Sequence, residues 1–361
     1  MPAYGTNTTL DALRATQQTV VDIGLDRTFE IVRQVFAIHN DLLTDQRQRF
    51  MTDTTDRMRR GGGSASMALM ELDEFGTPDA QKITAGANIG FPLRRYGGAL
   101  QWTGLALKRM TGEEIAIQVA GIMDADTINL TNAMKAAIYR PSNYSFDDRF
   151  VDHLNSAWTL PVKALANADS FPIPPGPNGE VFTESTHTHY LVAATTSTFA
   201  AVDLDALIAT VREHYGTGTG YVYINQADAA TVSGFTKFRA VVDTRIIQPN
   251  SATYVNPAVA GLDTVNTNNR LIGIYDGVEI WVKPWAIASY PVAHWAGPGI
   301  DKPLVYRYDP VLGGGRMTLT YEGEVHDLKA DVYERFFGIA VWNRLCLAVL
   351  DVGHGTYTSP I

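Results

Sequence analysis

Cysteine is almost absent from this 361-residue chain. Cys346 is the single one, so no disulfide can form within it. Its place in an apolar run marks it as a small buried hydrophobe, and the composition suits a reducing compartment. Charge is also sparse, at 19% of residues, and unbalanced: 29 Lys and Arg against 38 Asp and Glu give a formal net charge of −9. A dedicated nucleic-acid binder needs a basic patch to neutralise phosphates. The acidic balance argues against that class but not against a container for nucleic acid, whose wall should not grip its contents. No stretch approaches the ~20 apolar residues of a membrane span. The start, MPAYGTNTTLDALR, has neither a basic flank nor an apolar h-region, so no secretory signal is expected. No repeat recurs at a fixed period. Hydrophobic residues, by contrast, make up 45% of the chain, enough for a sizeable core in one large or two smaller domains.

Residues 1–25 are polar and mixed and read as a loose N-terminal arm. From Arg27 the pattern turns helical, with Phe29, Val32, Phe36, Ile38, Leu42 and Leu43 near i, i+3, i+4 spacing and charges filling in up to Arg60. Gly61, Gly62 and Gly63 break it. Residues 71–102 read as an extended arm. Its tip, 76–90 (GTPDAQKITAGANIG), holds only Ile83 and Ile89 as large apolar residues. A two-stranded ribbon is marginal alone in water and needs a third partner surface, here expected to be a second copy of the chain. Phe91, Leu93, Leu100 and Trp102 give a period-2 hint for the return limb. Pro92 removes a ladder donor and demotes that limb to an edge, and Gly97 and Gly98 allow a bend.

One long helix follows. Thr111 and Glu114 make a capping box, and Glu113 and Glu114 suit the positive end of the helix dipole. Ile115, Val119, Ile122, Met123, Leu130, Met134 and Ile138 form one apolar stripe, and Pro141 stops the run after Tyr139. About 28 residues make a rod roughly 40 Å long. Residues 141–182 are irregular, with a Pro-rich FPIPPGP loop. Beyond them 190–194 and 221–225 read as strands, 203–215 as a helix and 250–270 as a surface loop. Asp276 and Gly277 mark a tight hairpin between 272–275 and 278–282. Met317, Leu319 and Tyr321 alternate with polar residues, and 333–350 reads as two strands broken at Asn343 and Arg344.

Candidate chemistry is thin. The GTGTG run at 216–220 lies between a helix and a strand, the reverse of the order a phosphate loop needs, so it reads as a connector. His187 and His189 would share a face of a strand. Glu184 and His214 are the nearest additions and complete no tetrahedral set, so surface histidines in a loop are expected. Glu322, Glu324 and His326 alternate along a strand and could do acid–base work, but read as a solvated or interface face. No Gly-x-Ser-x-Gly elbow occurs. Arg57, Arg59, Arg60, Arg94, Arg95, Lys108 and Arg109 could contact nucleic acid, but in an acidic chain they are expected to pair with carboxylates of a neighbouring subunit. No catalytic residue, cofactor or metal is therefore expected, and the function class is assembly rather than catalysis.

The order of parts, with LQWTGLALKRMTGEE entering the long helix and the late strand pair ERFFGIAVWNRLCLAVL, resembles the major capsid protein of tailed bacteriophages. Encapsulin compartments and the herpesvirus capsid floor share that fold. The resemblance covers about residues 27–352 and implies an α+β fold. Its parts would be an N-terminal arm and helix (1–66), a two-stranded arm loop (67–103), and a peripheral domain (104–185) with a spine helix at 111–139. An axial domain (186–316), a peripheral strand (317–340) and a strand returning to the axial domain with the tail (341–361) would complete it. It further implies hexamers and pentamers closing an icosahedral shell around double-stranded DNA in a virion assembled in the host cytoplasm. The other partners would be a portal and decoration proteins. About 66 residues precede the arm, so a scaffolding protein is expected to be separate. Lys82, Phe91, Leu93, Arg94, Arg95 and Trp102 become the subunit-interface candidates. Some relatives cross-link subunits through an arm lysine, but nothing identifies a partner for Lys82 and no covalent bond is expected. An encapsulin-like compartment, or a soluble metal-dependent hydrolase using His187, His189 or His326, are the alternatives.

Overall fold

The computed structural model describes residues 18–61, 74, 76, 86–148, 158–241, 269–325 and 328–361. The described residues begin with helices α1 (Val20–Ile23) and α2 (Leu25–Arg47), then strands β1 (Met51–Thr54), β2 (Met58–Gly61), β3 (Ala87–Gly90) and β4 (Arg94–Thr103). Helix α3 (Gly104–Arg109) leads into α4 (Gly112–Tyr139), the long helix expected from the sequence. Strands β5 (Tyr144–Asp148), β6 (Trp158–Val162) and β7 (Tyr190–Val192), helix α5 (Ala201–Arg212), β8 (Thr219–Ile224), α6 (Ala229–Ser233) and β9 (Phe238–Ala240) follow. The rest is β10 (Arg270–Tyr275), β11 (Val278–Val282), β12 (Val292–Ala296), β13 (Leu304–Arg307), β14 (Thr318–Val325), β15 (Leu328–Val341) and β16 (Leu347–Asp351).

Two sheets organise these parts. In the first, β1, β13, β15 and β14 lie in that order, and β4 also pairs with β15. In the second the order is β7, β16, β12, β8, β11, β10, β9. The late apolar run therefore does form two strands, but each joins a different sheet. The break at Asn343 and Arg344 is where the chain passes from one to the other. The Asp276–Gly277 hairpin closes β10 onto β11, with both turn residues at positive φ (48° and 82°) as a type I′ turn requires.

The amphipathic helix is shorter than the charge pattern suggested. It ends at Arg47, and the 51–61 stretch is two short strands. Met51–Thr54 pairs in parallel with Leu304–Arg307, so sheet pairing overrides a segment with no helical stripe of its own. The buried face of α2 is Phe29, Ile31, Val32, Val35, Phe36 and Leu43, whereas Ile38 and Leu42 are exposed.

The cap of α4 forms as its spacing requires. The Glu114 N–H donates to Thr111 Oγ1 at 3.3 Å, and the Thr111 N–H donates to Glu114 Oε2 at 2.9 Å. Its two halves serve different cores. Ile115 and Val119 pack with Phe29, Val32, Phe36, Trp102 and Tyr333. Leu130, Met134 and Ile138 pack with Tyr306, Phe337, Ile339 and Tyr190. Each side chain of that size contributes roughly 1.5–3 kcal/mol on full burial.

Between the halves sits Asp126, which is 2% exposed. Its Oδ2 lies 2.8 Å from Arg335 Nη2 and 3.0 Å from His39 Nε2. Arg335 also donates to Asn40 Oδ1 at 2.6 Å, and Asn40 exchanges hydrogen bonds of 2.9 and 3.0 Å with the Met317 backbone. The group joins α2, α4, β15 and the start of β14. Removing one partner of a buried pair leaves an uncompensated charge, at ~3–5 kcal/mol. Asp126→Ala is therefore expected to lower subunit stability by that amount in urea unfolding. Arg33→Ala, which breaks an exposed 3.0 Å pair with Glu322, is expected to cost no more than ~1 kcal/mol.

Candidate assembly arm and histidine cluster

A two-stranded ribbon brackets residues 62–86. Its outgoing limb is β2, which pairs antiparallel with β3 from Met58↔Gly90 to Gly61↔Ala87. The return limb is not one edge strand. It breaks at residues 91–93, around Pro92, into β3 on the ribbon and β4 on the body. Strand β4 pairs with β15 over ten residues, from Leu328↔Thr103 to Phe337↔Arg94. Among the described residues the β2–β3 ribbon stays two-stranded, whereas β4 finds its partner strand within the same chain.

Three of the interface candidates are covered within their own chain. Phe91 and Leu93 are fully buried and Trp102 is 4% exposed. Phe91 packs with Val162, Phe171, Val305 and Ala340. Trp102 meets the Phe29 ring edge-on at 5.6 Å and donates its indole N–H to Gln118 at 2.6 Å. Their apolar area is covered by their own subunit. Arg94 and Arg95 are exposed, but they too have partners within the chain: Arg94 lies over the Phe146 ring at 5.3 Å, and Arg95 pairs with Glu334. Arg57 lies over Trp158 at 5.0 Å, and Arg59 pairs with Asp56 at 2.6 Å. Lys82 lies outside the described residues, as does most of the arm tip.

The arm base is held tightly. The Phe91 N–H donates to the Arg57 carbonyl at 2.8 Å, and the Phe91 carbonyl accepts from Arg307 Nη1 at 2.7 Å. Arg307 in turn pairs with Asp148 at 2.6 Å, both groups being buried. Pro92 crosses β15 at Gly338 so closely that a Cβ there would stand 1.8 Å from the Pro92 carbonyl oxygen. Glycine is required for that crossing.

Of the other chemistry, Glu322 is engaged by Arg33 at 3.0 Å and Lys329 at 3.2 Å on an exposed face, while His326 lies outside the described residues. The 216–220 run is a connector into β8, its Thr217 carbonyl accepting the Trp295 indole N–H at 3.1 Å. The histidines are not loop-surface residues. His189 is fully buried, and the Nε2 atoms of His187, His189 and His214 lie 3.0–3.1 Å from one another. Glu213, which the sequence reading missed, stands beside them. Burial pushes all three imidazoles below their ordinary pKa, His214 to about 3, which keeps them neutral at physiological pH. The Glu213-His214 dipeptide was the available signal, but 23 residues separate it from His189.

A two-stranded ribbon, a capped long helix and two sheets linked by the passage from β15 to β16 make up this α+β fold. A solved structure from Mycobacterium phage Patience has this fold at a TM-score of 0.66, with 22% identity over 98% of this chain and 94% of that one. Weaker likenesses, on which nothing rests, are to the capsid of a native GTA particle (TM-score 0.48, 12% identity, 86% and 91% covered) and to the SrpI encapsulin complex of Synechococcus elongatus PCC 7942 (0.41, 13%, 87% and 89%). No protein-family model matches the chain, and no curated protein matches it.

Trp102→Ala is expected to destabilise the isolated subunit by ~3–5 kcal/mol, read by denaturant unfolding. A loss seen only in assembled particles would contradict its place in the subunit core.

Proposed function

We propose that this chain is the major capsid protein of a tailed phage, assembling as hexamers and pentamers into an icosahedral shell around double-stranded DNA. The observation that carries this reading is the fold, matched over nearly the whole length of both chains to a phage structure. The ribbon of β2 and β3 supports it further: its strands pair with each other and lead to a tip, residues 76–85, whose single large apolar residue is Ile83, too little to bury itself. That segment would lie over a neighbouring subunit, with Lys82, Arg94 and Arg95 as contacts. Exposed apolar side chains give the neighbour further surface to cover: Ile117 and Ile128 on α4, and Ile38 and Leu42 on α2. Each contact is modest, and stability of the shell comes from repeating it.

In this role the first sheet with α4 would be the peripheral domain and the second sheet the axial domain. A scaffolding protein, a portal and decoration proteins are the partners that such a shell calls for. The net charge of −9 suits a wall that encloses DNA without gripping it. No residue is proposed as catalytic.

Replacing residues 77–85 by a short Gly-Ser linker is expected to leave a folded subunit that fails to form stable shells. Negative-stain microscopy of the expressed protein tests this, and regular particles from the variant would refute it. Cargo protein rather than nucleic acid in wild-type particles would favour an encapsulin-like compartment.

A further inference from the structure

The histidine cluster has a geometry that capsid assembly does not use. His187 and His189 lie two apart on the extended segment entering β7, so both rings reach the same side. His214 follows the C-terminal end of α5 and brings a third ring. The three Nε2 atoms form a nearly equilateral triangle of sides 3.0, 3.0 and 3.1 Å. Glu213 Oε1 lies 3.7 Å from the Nε2 atoms of both His187 and His214.

Hydrogen bonding alone does not satisfy this triangle. His189 Nδ1 lies 2.6 Å from the Leu347 carbonyl oxygen, which can only accept. The proton is therefore on Nδ1, and Nε2 of the neutral ring presents a bare lone pair to the centre. His187 and His214 can each supply at most one Nε2 proton, so at most two of the three contacts can be hydrogen bonds. His214 gains nothing on its other side, because its Nδ1 is buried with no hydrogen-bond partner among the described residues. A fully buried ring fixed by a backbone carbonyl, with its free lone pair facing two more imidazoles, is the arrangement that holds a metal-ligating histidine in the right tautomer.

We propose that His187, His189, His214 and Glu213 bind one divalent first-row metal ion, zinc by preference, in a closed tetrahedral N3O site. Bonds of ~2.0–2.1 Å to three nitrogens spaced as these are would place the ion about 1 Å above their plane. A regular tetrahedron with such bonds has edges of about 3.3 Å, so the nitrogens need to spread by only about 0.3 Å. The Glu213 carboxylate, 39% exposed, has room to swing in, by about 0.4 Å toward His187 and His214 and further toward His189, from which it lies within 4.8 Å. The Phe182 ring lies tilted against the cluster, 5.1 Å from His187 and 4.4 Å from His214, and covers it with an apolar face. With four protein ligands no position is left open for substrate, so the ion is a staple. It fastens the 183–189 segment to the end of α5 and, through His189, to β16.

The test uses the tag-free chain, stripped with dipicolinate and re-loaded with zinc chloride. About one zinc per chain should survive gel filtration, and loading should raise the melting temperature by ~5 °C or more. His187→Gln, at the most exposed of the three rings, and Glu213→Gln should fold yet lose most of that rise. Cobalt(II) loaded in place of zinc should show the intense visible bands of a tetrahedral site, a reading that needs no variant. Absence of bound zinc with no change in melting, zinc retained in full by a His187→Gln/His214→Gln double variant, or a pale octahedral cobalt spectrum would each overturn the proposal. The site lies within one subunit, so these results are independent of whether the chain forms shells.

Discussion

Arg335 is charged and almost wholly buried, and its surroundings are arranged around that charge. Asp126 from the middle of α4 neutralises it, His39 from α2 meets the same carboxylate, and Asn40 from α2 accepts from Arg335 Nη2. Asn40 then fixes the backbone at Met317, where β14 is about to begin. One guanidinium thus sets the rotation of two helices and the register of a strand pair. Apolar packing on either side of it would tolerate a slide of one turn. A buried ion pair would not, because the desolvation cost is offset only at short range. The pair therefore specifies the arrangement more than it adds to stability.

The parts most legible in the sequence were those set by local chemistry. Thr111 and Glu114 located the helix start, Asp276 and Gly277 located the hairpin, and the apolar runs around Asn343 gave two strands. Misreadings occurred where a distant partner decided the outcome. Met51–Thr54 has no pattern that names Leu304–Arg307 as its neighbour. The period-2 signal at Phe91, Leu93 and Trp102 correctly called for a covering surface. It could not say that the same chain supplies it. An alternating strand looks the same whether its third neighbour is 230 residues away or in another molecule.

The histidine cluster shows the same limit. His187 and His189 were visible as a pair, and His214 as an isolated residue. Convergence of the three depends on how α5 packs over β12 and β16, and no local pattern encodes that. Glu213 escaped notice because a glutamate at a helix end is ordinary in itself.

The ten-residue pairing of β4 with β15 has a mechanical side. A pull on the arm along β4 would load those backbone hydrogen bonds in parallel, as shear, rather than opening them one at a time. Pro92 wedged over Gly338, with Arg307 clamping the Phe91 carbonyl, adds a stop at the loaded end. The return limb is thereby held fast at the point where it leaves the ribbon.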